Sequence, residues 1–189
     1  WPGREGEVTP VFVYTNYPAA ELFINGKSYG KQSKNNSSLK SRYRLMWMDA
    51  VYEPGEVKVV AYDKNGKAVA EKVVHTAGKP HHIELVSNRN ELTADGKDLA
   101  YVTVKVVDKD GNLCPTDNRQ INFSVKGTGK YRAAANGDPT NLEQFHLPKM
   151  HAFNGMLTAI LQAGETAGEI VFTAKANGVK AGNIRIQTK

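Results

Sequence analysis

An all-β protein made of two β-sandwich domains in tandem is what the sequence predicts, and three observations predict it. Apolar and polar residues alternate with a period of two through most of the chain, the mark of half-buried strands. Dipeptides suited to tight turns, such as Asn25-Gly26 and Asn65-Gly66, separate the alternating runs. No stretch carries the apolar stripe of an amphipathic helix.

The elements follow in order. Glu21–Ile24 and Lys27–Gly30 flank Asn25-Gly26 and read as a hairpin with a primed turn, because Asn and Gly tolerate positive φ. Arg44–Met48 reads as an apolar strand, with Trp47 expected in a core. Val57, Val59 and Ala61 alternate with Lys58, Val60 and Tyr62. Asn65-Gly66 then leads into Lys67–Val74 as a second primed hairpin. Thr76-Ala77-Gly78-Lys79-Pro80 stops the strand and marks a domain boundary, giving domains 1–77 and 78–189. Alternation resumes at Ile83 and Leu85. Its cleanest run sets Ala100, Val102, Val104 and Val106 against Tyr101, Thr103 and Lys105. Asp110-Gly111 turns the chain again. Ile121, Phe123 and Val125, then Ile170, Phe172, Ala174 and Ala176, repeat the pattern. Met156–Gln162, bracketed by Gly155 and Gly164, is short enough to read as a buried strand. Between Asn136 and Asn154 the chain is rich in Gly, Pro, Asn and His, and is expected to form a long irregular loop. Loops of that length are often functional.

Bulk properties exclude several function classes. The chain has 189 residues, 40% of them hydrophobic, which suits two packed domains rather than disorder. The net charge is +6: residues 1–77 hold 11 Lys and Arg against 8 Asp and Glu, and residues 78–189 hold 14 against 11. This even excess, with Lys27, Lys31, Lys34, Lys40, Arg42 and Arg44 scattered, reads as a solvated surface, not a nucleic-acid interface. No apolar run approaches the roughly 20 residues that span a bilayer. The single cysteine, Cys114, leaves no internal disulfide and reads as a small semi-buried residue. The first residue is Trp1 rather than Met, so a longer parent chain is expected, with any leader upstream.

Two groups of residues resemble a known family. Val13-Tyr14-Thr15-Asn16-Tyr17, Glu21–Ser28, Trp47 and Tyr52-Glu53-Pro54-Gly55-Glu56 resemble the β-sandwich that follows the catalytic barrel in Bacteroides-type β-galactosidases. Thr93–Leu99, Val106–Asn112, Asn136–Thr140 and Ala152–Gly155 resemble the immunoglobulin-like C-terminal domain of glycoside hydrolase family 2. The resemblance implies two immunoglobulin-like sandwiches, and a parent that hydrolyses terminal β-linked sugars with retention, using two glutamates on a (β/α)₈ barrel. Nothing in this chain matches that barrel. The chain is therefore expected to be non-enzymatic, with no cofactor and with the barrel of the same parent as its partner. The resemblance also implies a periplasmic or cell-surface location in a polysaccharide-degrading bacterium.

Candidate chemistry concentrates in the long loop. Asn136, Asp138, Glu143, Phe145 and His146 offer hydrogen-bonding groups beside an aromatic ring, a combination that binds sugars. They are the candidate contacts to a carbohydrate or to the parent's barrel. The bland alternative is that Asn136 and Asp138 build a turn and that Phe145 anchors the loop to the core. A retaining glycosidase needs two carboxyls about 5 Å apart on a rigid scaffold. Asp138 and Glu143 are expected to sit on flexible chain, so no catalytic residue is assigned. Trp1 and Trp47 are the other aromatic platforms. Asp108-Lys109-Asp110-Gly111-Asn112 has the start of a calcium loop but lacks its closing glutamate, and reads as a turn. His81 and His82 are expected on opposite faces of a strand, and His146 and His151 lack a third ligand, so no metal is assigned. Two other functions compete with an accessory role: an autonomous carbohydrate-binding module, and surface-adhesion repeats.

Overall fold

The computed structural model describes residues 3–189 and is built of strands. Trp1, one of the two aromatic platforms, lies outside the described residues. The chain divides into two units, Trp1–Thr76 and Ala77–Lys189.

The first unit contains β1 (Val11–Tyr14), β2 (Ala19–Ile24), β3 (Lys27–Ser33), β4 (Arg44–Trp47), β5 (Glu56–Tyr62) and β6 (Ala68–His75). Four of these form an antiparallel sheet in the order β3-β2-β5-β6, and β1 pairs with β4 in a separate two-stranded ribbon. Alternation decides which side chains meet. From the sheet, Ala20, Leu22, Ile24 and Ala61 turn inward; from the ribbon, Leu45 and Trp47 do so, with Val11 and Val13 beside them. Trp47 is 1% exposed, and its indole N–H donates to the Gly30 carbonyl at 3.0 Å, so its polar edge is satisfied as its ring fills the core. Asn25 and Gly26 have φ of 48° and 78° and form the expected primed turn.

At Asn65-Gly66 the turn differs from the expectation. Only Gly66 has positive φ. The Asp63 carboxylate accepts from the Asn65 and Lys67 amides at 2.8 and 2.9 Å, and the register shifts between Ala61 and Tyr62. The acceptor side chain two residues ahead of Asn65 builds a wider, bulged turn, which the dipeptide alone did not reveal.

The second unit contains β7 (His82–Ser87), β8 (Glu91–Leu92), β9 (Leu99–Val107), β10 (Gln120–Gly127), β11 (Gly129–Ala135), β12 (Lys149–His151), β13 (Met156–Ala163), β14 (Gly168–Lys175) and β15 (Gly182–Thr188). These make a five-stranded sheet, β12-β10-β14-β15-β8, and a four-stranded sheet, β11-β13-β9-β7. All pairings are antiparallel except β15 with β8. Both sheets feed one core: Ala100, Val102, Val104 and Val106 of β9 and Leu157, Ala159 and Leu161 of β13 face Ile121 and Phe123 of β10, Ile170 and Phe172 of β14 and Ile186 of β15. Removing these faces from water, at about 25 cal/mol per Å², is the main drive to fold. Phe123 stacks on Phe172 (ring centroids 5.7 Å apart) and on Tyr131 of the opposite sheet (5.6 Å).

Three expectations are corrected in this unit. The region 136–154 is not wholly irregular. It contains β12, whose Met150 is fully buried, and it ends in a tight turn at Asn154 and Gly155, both with positive φ. The expectation missed β12 because three residues are too few to show a period. His81 and His82 do not point apart: their Nδ1 atoms lie 3.0 Å from each other. Strand β7 begins at His82, so strand alternation does not govern His81. Cys114 is buried, 4% exposed, and burial pushes its thiol above the ordinary range.

Asp108, in the segment expected to form a turn, is 2% exposed. Its carboxylate accepts from the amides of Gly78 (2.7 Å), Asp110 (2.9 Å) and Asn112 (2.8 Å), and from the Asn112 side chain (3.1 Å). The Gly78 bond leads in holding this carboxyl far below the usual range. The calcium-like segment is thus a turn closed on its own first residue, tied to Gly78 thirty positions earlier. Among the described residues no three His, Cys, Asp or Glu side chains gather as a metal site.

Candidate functional site

The region between β11 and β13 opens into a cleft of about 380 Å³. Its polar wall comes from Asn118, Asn136, Asp138, Asn141, Glu143 and His151, and Ala152 and Phe153 complete the lining.

Hydrogen bonds to the loop's own backbone hold this wall. Asn136 accepts from the Asp138 amide at 3.0 Å and donates to the His151 carbonyl at 3.0 Å. Asp138 accepts from the Thr140 amide and hydroxyl, both at 2.8 Å, through a single carboxylate oxygen. Asn141 accepts from the Glu143 amide at 2.9 Å and donates to the buried sulfur of Met150. Glu143 uses both oxygens on one residue, accepting from the His151 amide at 3.1 Å and facing its Nδ1 at 3.0 Å. Asp138 and Glu143 therefore do not sit on flexible chain, as had been expected. Asx-type side chains tie the loop to itself, and β12 ties it to β10.

The electrostatics follow from these bonds. Partial burial pushes the Glu143 carboxyl up, but the His151 amide and ring outweigh it and hold the group below its ordinary range. Glu143 stays ionised at neutral pH and cannot be the protonated member of a glycosidase pair.

Not all five sequence-derived candidates meet. Asn136, Asp138 and Glu143 share the cleft; Phe145 and His146 do not line it. Phe145 is 56% exposed, so its ring does not anchor the loop. Its backbone does: the Phe145 carbonyl accepts from the Ala134 amide at 2.8 Å, and the Tyr131 hydroxyl donates toward the carbonyls of Leu147 (2.7 Å) and Phe145 (3.0 Å). Burial raises the Tyr131 hydroxyl to about 12. Sequence reasoning missed Tyr131, Asn118, Asn141 and His151 in these roles. Only Asn141 carried a local signal, an Asx residue two positions before Glu143. Asn118 arrives from the chain ahead of β10. His151, expected near His146, pairs with Glu143 instead.

In the first unit, four members of the scattered basic set lie near aromatic rings. Lys31 stands over Tyr62 at 3.7 Å, and Lys27, Arg42 and Arg44 approach Tyr29, Tyr43 and Phe12 at 5.7–5.8 Å. The outward face of the β1–β4 ribbon presents Phe12 and Tyr14, 44% and 69% exposed, opposite Met46 and Arg44.

Comparison with known proteins gives two family matches. The glycoside hydrolase family 2 C-terminal domain 5 matches residues 83–185, and a domain of unknown function (DUF4982) matches residues 6–70. The chain is 39% identical to the β-galactosidase BoGH2A of Bacteroides ovatus over all of its own length and 22% of that protein's. A β-glycosidase structure from Bacteroides vulgatus superposes with a TM-score of 0.91 at 29% identity, covering 99% of this chain and 23% of that one. A family 2 glycosyl hydrolase structure from Bacteroides cellulosilyticus gives 0.88 at 32% identity, covering 100% and 24%. The chain spans between 19% and 24% of the length of the first curated relatives it matches.

Proposed function

The chain belongs to glycoside hydrolase family 2, and we propose that it is a non-catalytic accessory region of a longer β-galactosidase-like enzyme, its two sandwich units bracing a catalytic barrel in the same parent chain. The observation that carries this reading is the unfinished covering of the first unit. Its sheet is four strands wide, but its core draws on the ribbon, β2, β3 and β5 and on no described residue of β6. Val74 of β6 pairs with inward-facing Val57 and is nevertheless 58% exposed. Phe12 and Tyr14 add aromatic surface on the ribbon's outer side. Exposed apolar side chains of this kind are available to pack against another protein body, and a neighbouring domain of the same chain is the partner that the match to longer glycosidases favours.

The full-length enzyme tests the reading. Replacing Phe12 and Tyr14 with Ser, and Val74 with Lys, should lower the temperature at which activity is lost, while kcat/KM for a small aryl β-galactoside at 25 °C stays within about twofold. Unchanged heat inactivation overturns the bracing role, as does a parent sequence with no barrel. A periplasmic or cell-surface location belongs to the same proposal, and recovery of the enzyme in the cytoplasmic fraction would overturn it. A second reading, a carbohydrate-binding module, is favoured by the cleft of the second unit. Adhesion repeats are disfavoured, because the two units differ in strand number and sheet order.

A further inference from the structure

The geometry points to the cleft of the second unit as a binding site for a neutral pyranoside, read through two adjacent hydroxyls. This role rests on the carbohydrate-binding reading above and is separate from bracing.

Three polar atoms on the cleft residues have no protein partner among the described residues: the second carboxylate oxygen of Asp138, the side-chain amide nitrogen of Asn118, and Nε2 of His151. Each of these side chains is also held by a bond within the protein. Asn118 accepts from the Asn154 amide at 3.1 Å, Asp138 binds Thr140, and His151 faces Glu143. The wall is therefore oriented before any ligand arrives, which limits the ordering cost of binding. What it leaves open is one anionic acceptor, one amide donor and one imidazole nitrogen able to play either part.

A hydroxyl is both donor and acceptor, so a vicinal diol satisfies this set: one hydroxyl donates to Asp138 and its neighbour accepts from Asn118. Ala152 and Phe153 supply apolar lining for the C–H face of the ring. At about 380 Å³ the cleft is near the small end of ligand pockets, roughly 300–1,000 Å³, the scale of one or two sugar rings. Charge sets the class. Asp138 lines the cleft with one carboxylate oxygen unpaired, and Glu143, held ionised, lines the same cleft. A uronate or sulfated sugar would bring a third negative charge into this space, and like charges at short range are repelled. Neutral glycosides are therefore accepted and acidic ones refused.

The 189-residue chain can be tested by amide NMR titration with methyl β-D-galactopyranoside, methyl β-D-glucopyranoside and methyl β-D-glucuronide. A neutral glycoside should give saturable shifts at Asn118, Asp138, Ala152 and Phe153, and the glucuronide should bind at least about tenfold more weakly. Asp138→Asn keeps the Thr140 bonds but turns the outer acceptor into a donor. It should weaken the neutral sugar about tenfold, as loss of one hydrogen bond to a charged group predicts. Asn118→Ala should weaken it as well, whereas Phe145→Ala, outside the cleft, should leave it unchanged. An undisturbed spectrum away from the cleft verifies folding of each variant. No saturable shift with either neutral glycoside overturns the proposal. So does equal binding of the glucuronide, or a loss on Phe145→Ala matching that of Asp138→Asn. Bracing is read from heat inactivation of the longer enzyme, so either role can fail alone.

Discussion

The two units solve the same problem to different degrees. Each must hide one face of a sheet. The second does so with a sheet of five strands against a sheet of four, and among the described residues its core gathers twenty buried side chains. The first covers four strands with a two-stranded ribbon and gathers seven. Small cores are marginal, because buried area must outweigh chain entropy. The comparison teaches that a β-sandwich motif is not by itself a finished domain. The second unit buries side chains from both of its sheets in one core. The first leaves Val74 of β6 and Phe12 and Tyr14 of the ribbon exposed, with no described β6 side chain in its core.

The largest expected effect is on the cores. Urea unfolding of the chain should show two transitions, the first unit melting earlier. Phe172→Ala should cost about 3–5 kcal/mol and shift only the later transition. Trp47→Ala removes a comparable volume from a core a third the size, and should abolish the earlier transition outright. A single cooperative transition, moved equally by both substitutions, would break the comparison.

Acid should separate the units next. The carboxyls held below their ordinary range, Asp95, Asp98, Asp108, Asp117 and Glu143, all belong to the second unit. Their folded state releases protons more readily than the unfolded chain. The stability they confer is therefore full above the unfolded carboxyl range, near pH 4–5, and is lost as pH falls through their lower folded values. Between pH 6 and 2 the later transition should lose stability faster than the earlier one, and Asp108→Asn should flatten that dependence. Parallel loss in both transitions would refute the assignment.

Glycine substitutions give the smallest contrast. Gly26 and Gly155 share left-handed φ of 78° and 77°, but a Cβ at Gly26 meets open space, whereas at Gly155 it meets the Cys114 carbonyl. Gly26→Ala should cost about 1 kcal/mol, the conformational strain alone. Gly155→Ala should cost at least about 2 kcal/mol, because strain and collision combine. Equal losses would show that the second unit yields around Gly155 as easily as open solvent does.

Much of the fold was legible because its signals are local. Alternation at Ala100–Val106 identified both the strand and its buried face, since neighbouring side chains on an extended backbone must point opposite ways. Asn25-Gly26 marked a primed turn because two adjacent residues alone accept that backbone. Trp47 was placed inside because a large aromatic in an apolar strand fills a core. Where a feature depends on distant chain, local signals fell short. Met150 lies in a strand too short to have a period. Asp63 changed the turn at Asn65-Gly66 from two residues upstream. The candidate site shows the limit most clearly: composition singled out the 136–154 loop, and three of its five nominated side chains reached the cleft, yet Phe145 and His146 did not.

By itself, then, the sequence determined which segments extend, which of their faces are apolar and where the chain turns, because these depend on residues adjacent along the backbone. Only the tertiary structure decided that β8 joins β15 in parallel, that Gly78 caps Asp108, and that Asn118 and His151 meet Asp138 and Glu143 across one cleft. Those outcomes depend on how apolar faces far apart in the chain are buried against one another, and that joint packing is written in no single stretch.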